Sequence, residues 1–329
     1  MRVIACLMIP ALLALAAPAA AGALRFVENR PLEYDFADIP RLPPAFGRGE
    51  FAFELWIKPD GSLPVAETYP ASIDQLSAWS AADPRPYSSD GWWIRGNFLL
   101  DGHSRPEGFF AGQSREGTFS LQFYGGGRLR LMFADAKAGV PRGMVYAAQA
   151  WPASSTPSLL DGEWHHVLAQ RRWREPSGAM LELWVDGALI GSAELPERTD
   201  MRRFWDDPAH PQDPRALGGW SLGSEVMTAW NYAFTQFEDY KGLVDDIRMW
   251  GRALAPAEIA DLAAGRTPAR GERGLLAHFG FEEGGGSMAR DSLDSDYQLV
   301  LVRPTPRTWS EEDAPKRTSA PGSPAPASR

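Results

Sequence analysis

Apolar and polar residues alternate strictly through Phe51-Ala52-Phe53-Glu54-Leu55-Trp56-Ile57. Phe51, Phe53, Leu55 and Ile57 fall on one face, and Glu54 and Trp56 on the other. That period of two is the mark of a strand with one core face. Pro59-Asp60-Gly61 ends it as a turn. The same reading predicts strands over 93–100, 118–124, 128–134, 164–172, 180–186, 188–194 and 241–250. Tyr124-Gly125-Gly126-Gly127-Arg128 and Val185-Asp186-Gly187-Ala188 read as hairpin connections, the second a tight one centred on Asp-Gly. One helix is predicted. It begins at Pro256 with Glu258 in its first turn, has an apolar stripe of Ile259, Leu262 and Ala263, and stops at Gly265. Long connections over 60–92, 136–162 and 196–217 interrupt the strands, and long loops on a β framework are where function concentrates.

The first residues break this pattern. Met1-Arg2 carries one positive charge, residues 3–17 are almost wholly apolar, and Pro18-Ala19-Ala20-Ala21-Gly22 supplies small residues. This is the layout of a secretory signal peptide over 1–21. The run is shorter than the ~20 apolar residues of a membrane span, and no later segment supplies one. Cleavage after Ala21 removes Cys6, the single cysteine, together with Arg2. The expected mature protein is exported, periplasmic or extracellular, without disulfides or thiol chemistry. From about Pro304 the chain turns to Pro, Ser, Thr, Ala and charge, and 303–329 reads as a flexible tail.

Composition narrows the partners. Lys plus Arg is 33 against 42 Asp plus Glu, a net charge of −9. That excludes nucleic acid as the main partner and disfavours an anionic membrane, since both need a basic surface. Thirteen Trp beside 28 Pro and 32 Gly fit a strand-and-loop protein.

Several blocks carry a resemblance. Ala23-Leu24-Arg25-Phe26, the stretch FAFELWIKP over 51–59, Gly162-Glu163-Trp164-His165-His166-Val167 with Leu183-Trp184-Val185-Asp186-Gly187, and residues 240–250 followed by Arg252-Ala253-Leu254 and Glu258-Ile259 occur in this order. Together they resemble laminin-G-like domains of the concanavalin A-like lectin and glucanase superfamily. The resemblance implies an all-β fold, a two-sheet antiparallel jelly-roll sandwich with one short helix after the closing strand. It covers 23–265 of a domain running over 22–302. Residues 274–293 resemble a segment that usually precedes such a domain; the stretch 274–302 is expected to add strands to the same sandwich, the alternative being a remnant before a missing second copy.

The candidate chemistry follows from both readings. Hydrolases of this superfamily set two carboxylates on one strand, and no such spacing occurs here. Glu282-Glu283 and Asp245-Asp246 are neighbours, and Glu182 and Asp186 bracket Trp184. His165-His166 beside Arg171-Arg172 reads as framework more readily than as a lyase site. No nucleophile motif or phosphate loop is present. Pentraxins, jelly-roll relatives, bind calcium through a loop before the closing strand, and 222–225 with 237–242 are similar to it. The resemblance makes Glu225 and Glu238 calcium ligands, with Met227 where pentraxins are acidic. Asp101 is a further carboxylate from another loop; backbone carbonyls and water would complete the shell. The alternative is that these are solvated loop acids.

The aromatic residues give the other candidates. Alternation sets Trp56, Arg248 and Trp250 opposite the aliphatic rows of their strands, where they either line a ligand-holding sheet face or lie under loops. Trp79, Trp92, Trp93, Trp205 and Trp230 fall in or beside loops, where they either meet a ligand or pin the loops down. The expected ligand-binding set is Trp56, Trp92, Trp93, Trp205, Trp230 and Arg248. The expected function is non-catalytic binding of a glycan or an extracellular protein, assisted by calcium. A carbohydrate-active enzyme of the same fold and a docking subunit are the alternatives.

Overall fold

Alternating sequences give strands here because each can bury one face against a second sheet. A computed structural model describes residues 22–27, 36–63, 97–104, 116–124, 126–136, 144–150, 155–195, 220–224, 239–293, 295–302, 304–305 and 307–315. In chain order the strands are β1 (Ala23–Phe26), β2 (Phe36–Ile39), β3 (Phe51–Pro59), β4 (Asn97–Ser104), β5 (Glu116–Tyr124), β6 (Arg128–Ala136), β7 (Met144–Ala150) and β8 (His165–Arg174). They continue as β9 (Gly178–Val185), β10 (Ala188–Leu195), β11 (Trp220–Leu222), β12 (Gly242–Trp250), β13 (Leu275–Phe279), β14 (Met288–Arg290), β15 (Gln298–Val302) and β16 (Trp309–Ser310). The helix α1 (Pro256–Ala263) follows β12.

Two antiparallel sheets form. The first runs β10-β9-β8-β3-β12-β1-β16, with β13 also paired to β12. The second runs β14-β15-β2-β11-β4-β5-β6-β7. Inward side chains of both sheets make one buried core, with Phe51, Phe53, Leu55 and Ile57 of β3 facing Phe119, Leu121 and Phe123 of β5 and Trp220 of β11. Trp220 stacks on Phe119 with centroids 4.9 Å apart and planes 8° from parallel. Burying side chains of this size contributes about 1.5–3 kcal/mol each.

The predicted elements are present among the described residues; of the strand expected over 93–100, 93–96 lie outside them, and β4 runs from Asn97 to Ser104. The 185–188 hairpin turns on Asp186 (φ 50) and Gly187 (φ 78), both in the left-handed region that a two-residue hairpin requires. Residues 274–302 do add strands, to both sheets. Strands β2, β7 inside the expected 136–162 connection, the three-residue β11, and β16 inside the expected tail were not predicted. The expected tail boundary at 303 also moves. β16 pairs with β1, Thr308, Ser310 and Ala314 are buried, and the sandwich therefore extends to at least residue 315. Residues 1–21 and 316–329 lie outside the described residues.

An eight-residue helix is marginal alone. α1 is held by burial of Ile259 and Leu262 and by its entry. Arg252 grips Glu258 with two nitrogens at 2.9 and 2.6 Å, while Glu258 accepts the Ala255 N–H at 2.8 Å. Gln170 of β8 holds the preceding residue, accepting the Leu254 N–H at 2.8 Å and donating to its carbonyl at 3.3 Å.

Candidate functional site

The two outer faces of the sandwich differ. On the first sheet, Ala52, Leu168, Trp184 and Trp250 form an apolar cluster with Leu254, Ile259 and Leu262, so α1 caps that face. Beside the cluster lies a buried ionic network centred on Glu54. Arg248 Nη1 and His166 Nε2 donate to its Oε1, and Trp250 Nε1 donates to Oε2 at 2.9 Å. Burial pushes the Glu54 carboxyl up. The Arg248 guanidinium, with the His166 and Trp250 donors, outweighs that and holds it at about 2. Arg248 also pairs with Asp246 at 2.9 Å, and Asp246 accepts the His278 Nε2–H at 2.7 Å. Ser292 is 2.9 Å from the other ring nitrogen of His278.

This geometry corrects two expected ligand contacts. Trp56 does face outward from β3, but it is buried, edge-on to His166 at 5.3 Å. Arg248 is 1% exposed, and its two terminal guanidinium nitrogens are engaged by Glu54 and Asp246. Both are framework, and the reading in which they are covered is the one the structure takes.

The outer face of the second sheet is polar. On β2, β11, β4 and β5 the apolar neighbours Ala37 and Ile39, Trp220 and Leu222, Leu100, and Phe119 and Leu121 point inward. The residues between or beside them point outward. Register sets them in one line: Asp38 opposite Ser221, Ser221 opposite Asp101, and Asp101 opposite Ser120. Gln122, two residues along β5, lies opposite Arg130 of β6. It donates to Ser120 Oγ at 2.6 Å and accepts from Arg130 Nε at 3.1 Å. Five adjacent strands thus set two carboxylates, two hydroxyls, an amide and a guanidinium on one face, all of them buried: Asp101, Ser120 and Gln122 fully, Ser221, Arg130 and Asp38 all but a few per cent. Such donors and acceptors hydrogen-bond hydroxylated ligands.

Sequence reasoning found only Asp101 of this row. The signal was present as single polar residues inside apolar triplets, Ala37-Asp38-Ile39, Phe119-Ser120-Leu121, Leu121-Gln122-Phe123, Leu129-Arg130-Leu131 and Trp220-Ser221-Leu222. It becomes a row only once the strand order is known.

Asp101 is on β4 rather than on a loop, and it is buried. Glu225 and Glu238, like Trp79, Trp92, Trp93, Trp205 and Trp230, lie outside the described residues. The residues on either side of the 225–238 segment are described. Tyr240 N donates to Gly223 O at 2.9 Å, Gly223 N to Leu99 O at 2.9 Å, and Asn97 Nδ2 to Asp239 O at 2.9 Å. Both flanks are therefore pinned to β4, the strand that carries Asp101. Among the described residues, no group of three or more His, Cys, Asp or Glu is arranged to hold a metal.

The remaining candidates are framework too. His165 sits between Asp186 Oδ2 at 2.8 Å and Asp161 Oδ1 at 3.0 Å, and the Asp186 hydrogen bond raises its pKa. Arg171 donates to the carbonyls of Gly47 and Gly49. Glu182 Oε2 collects Gln170, Arg172 and Trp184 at 2.6, 2.7 and 3.1 Å. Glu283 accepts the Arg290 N–H at 2.6 Å.

A family model described as the concanavalin A-like lectin/glucanases superfamily matches residues 93–260. Solved structures give fold likeness at low identity. A Bacteroides ovatus protein assigned provisionally to carbohydrate binding is 12% identical, with 86% of this chain and 58% of that chain covered and a TM-score of 0.47. This chain therefore spans little more than half of that protein. A heptameric SAP-like pentraxin from Limulus polyphemus is 12% identical over 87% of this chain and 96% of its own, at a TM-score of 0.42. The LG1-3 region of the laminin α2 chain is 10% identical over 70% and 31%, at 0.34. No curated protein matches the sequence. Among the described residues no helix is long and apolar enough to cross a membrane.

Proposed function

The chain belongs to the concanavalin A-like lectin and glucanase superfamily, and from that premise we propose that it is an exported, non-catalytic module that binds a glycan on the outer face of its second sheet. The observation that carries this reading is the polar row Asp38, Ser221, Asp101, Ser120, with Gln122 and Arg130 beside it. Hydroxyls and amides orient a sugar through its own hydroxyls, and loop tryptophans supply the apolar faces on which sugar rings stack. Trp92, Trp93, Trp205 and Trp230 are the tryptophans assigned to this part. The leader-like residues 1–21 support export to the periplasm or beyond.

Calcium is the proposed helper. Glu225 and Glu238 follow and precede Gly223 and Asp239, which are tied to β4, and Asp101 stands on that strand. Calcium needs six to eight oxygens, so water and carbonyls would contribute. Bound calcium would raise the melting temperature by mass action.

The test is a glycan array with the mature protein, with and without calcium, beside a reducing-end assay. The expected result is selective glycan binding that is lost in a Ser120→Ala, Gln122→Ala double variant, with no new reducing ends. Absence of any glycan binding would favour a protein ligand. Release of reducing ends would favour an enzyme, for which one observation stands. Asp38 and Asp101 lie two strands apart, with Cα atoms ~10 Å apart by strand spacing, near what an acid–base pair across a sugar requires.

A further inference from the structure

A shallow, wide-open depression of about 690 Å³ lies beside β1 and β16, lined by Arg25, Val27, Arg307, Trp309, Glu311 and their neighbours. It shares no residue with the polar row. Its volume lies in the range of about 300–1,000 Å³ typical of small-ligand sites, enough for one or two sugar rings.

Its chemistry is unlike that of the rest of the molecule. The chain carries a net charge of −9, yet two guanidinium groups meet here. Arg25 Nη2 donates to Ser310 Oγ at 3.2 Å, which aims the group while leaving further N–H donors. Arg307 is exposed, and among the described residues its side chain makes no hydrogen bond or ion pair. Of the two nearby acids, Glu312 is bound to Lys58 at 2.6 Å. The lining thus holds two guanidinium groups against two carboxylates, one of which is already paired with a lysine.

Trp309 gives the pocket an aromatic wall. Its indole Nε1 donates to Gly286 O at 3.0 Å, and its ring packs in part on the core. The ring is thus fixed before any ligand arrives, which reduces the ordering cost of binding. Val27, 38% exposed, extends the apolar surface. Paired guanidinium groups recognise planar or multi-oxygen anions through charge-assisted hydrogen bonds. An indole face beside them suits the apolar face of a sugar ring.

We propose that this pocket binds an anionic sugar residue, with its carboxylate or sulfate on Arg25 and Arg307 and its ring against Trp309. The inference does not rest on the polar row, and its failure would leave that reading intact.

The experiment titrates the full mature chain with a short oligouronate, a short sulfated oligosaccharide and a neutral oligosaccharide of equal length, followed by calorimetry. The expected result is saturable binding of one or both anions and weakening at high salt. Arg307→Ala is expected to weaken that binding about tenfold or more, as loss of charge-assisted bonds does. Arg307 is exposed, so the variant should fold, and its circular dichroism checks that. Arg25→Lys keeps the charge, loses the fork, and is expected to fall in between. The Ser120→Ala, Gln122→Ala variant should bind the anion normally. A sulfate-only or uronate-only result identifies which anion is recognised. Failure of both anions to bind, equal binding of the neutral sugar, insensitivity to both arginine changes, or loss in the Ser120→Ala, Gln122→Ala variant would each overturn the proposal.

Discussion

Arg248 Nη1 donates to Glu54 Oε1 where neither residue meets water, on the outward side of β12 and β3. Their Cα atoms are register partners, and the next residues down β12 form a bulge at which Asp246 takes φ 50. The bulge brings Asp246 round to the second guanidinium nitrogen of Arg248 at 2.9 Å. One arginine therefore answers two buried carboxylates.

Removing that arginine should be severe. Arg248→Met leaves Glu54 and Asp246 buried beside fewer donors, and breaking such a pair costs about 3–5 kcal/mol. Arg248→Met with Glu54→Gln should cost less than Arg248→Met alone, because one of the two stranded charges is gone. Urea denaturation at neutral pH reads both. The wild-type chain should also lose stability in acid. Glu54 is held at about 2 when folded, against 4.5 as its ordinary value. Its contribution, roughly 3 kcal/mol at 1.36 kcal/mol per unit, is present above pH 4.5 and is lost as pH falls toward 2.

His165 gives the opposite sign. Its pKa is raised, first by the hydrogen bond it donates to Asp186 and then, against burial, by Asp161. A raised folded pKa stabilises fully below the ordinary 6.5 and is lost as pH rises through the folded value. Asp186→Asn keeps a residue tolerant of the left-handed turn position. It should move the His165 titration down toward 6.5 in an NMR pH series and flatten this part of the pH–stability curve. A titration that does not move would remove Asp186 as the cause.

Much of this fold was legible because its strands alternate cleanly. The period-2 faces of 51–57 and the Asp-Gly turn at 186–187 each specify a local geometry with few alternatives. β11 was not legible because three residues, Trp220-Ser221-Leu222, cannot establish a period. β16 was hidden in a stretch that reads as tail; Trp309 and Ser310 are strand because the edge of β1 offers them partners. The outward placement of Trp56 and Arg248 was correct, but their cover was not readable. It depends on Glu54, His166 and Asp246, distant in sequence and joined only by register. The same is true of the polar row, whose members come from five strands.

The C-terminal strap should be measurable as a stability element. Arg25 N donates to Thr308 O and Gly22 N to Ser310 O, both at 2.7 Å, and the buried Asp245 accepts the Ala314 N–H at 2.9 Å. A chain ending at Val302 loses these bonds and bares the edge of β1, which invites self-association. It should melt below the full chain, by about 1–3 kcal/mol for the buried groups left with fewer partners. A chain ending at Pro315 keeps every one of these contacts and should melt with the full chain. Equal melting of all three would show that the strap adds nothing.

Gly102 ties the core to the polar row. It follows Asp101 in β4, at a shift in the β4–β5 register. A methyl group there would stand 2.7 Å from Trp220 Nε1 and 2.8 Å from Phe119 O. Neither can give way cheaply, since Trp220 is fully buried and stacked on Phe119, and the Phe119 carbonyl is backbone. Gly102→Ala should therefore destabilise by about 1–3 kcal/mol, as overpacking does. The strain should be relieved by moving β4 outward, which displaces Asp101 from Ser120 and Ser221. Gly162→Ala is the control for adding a methyl group, because its Cβ would meet nothing within 4 Å; its own positive φ of 77° carries a backbone cost but leaves the row untouched. Glycan binding should fall in Gly102→Ala and persist in Gly162→Ala when both are assayed well below their melting temperatures. Normal binding by a folded Gly102→Ala protein would place the ligand elsewhere than on the row.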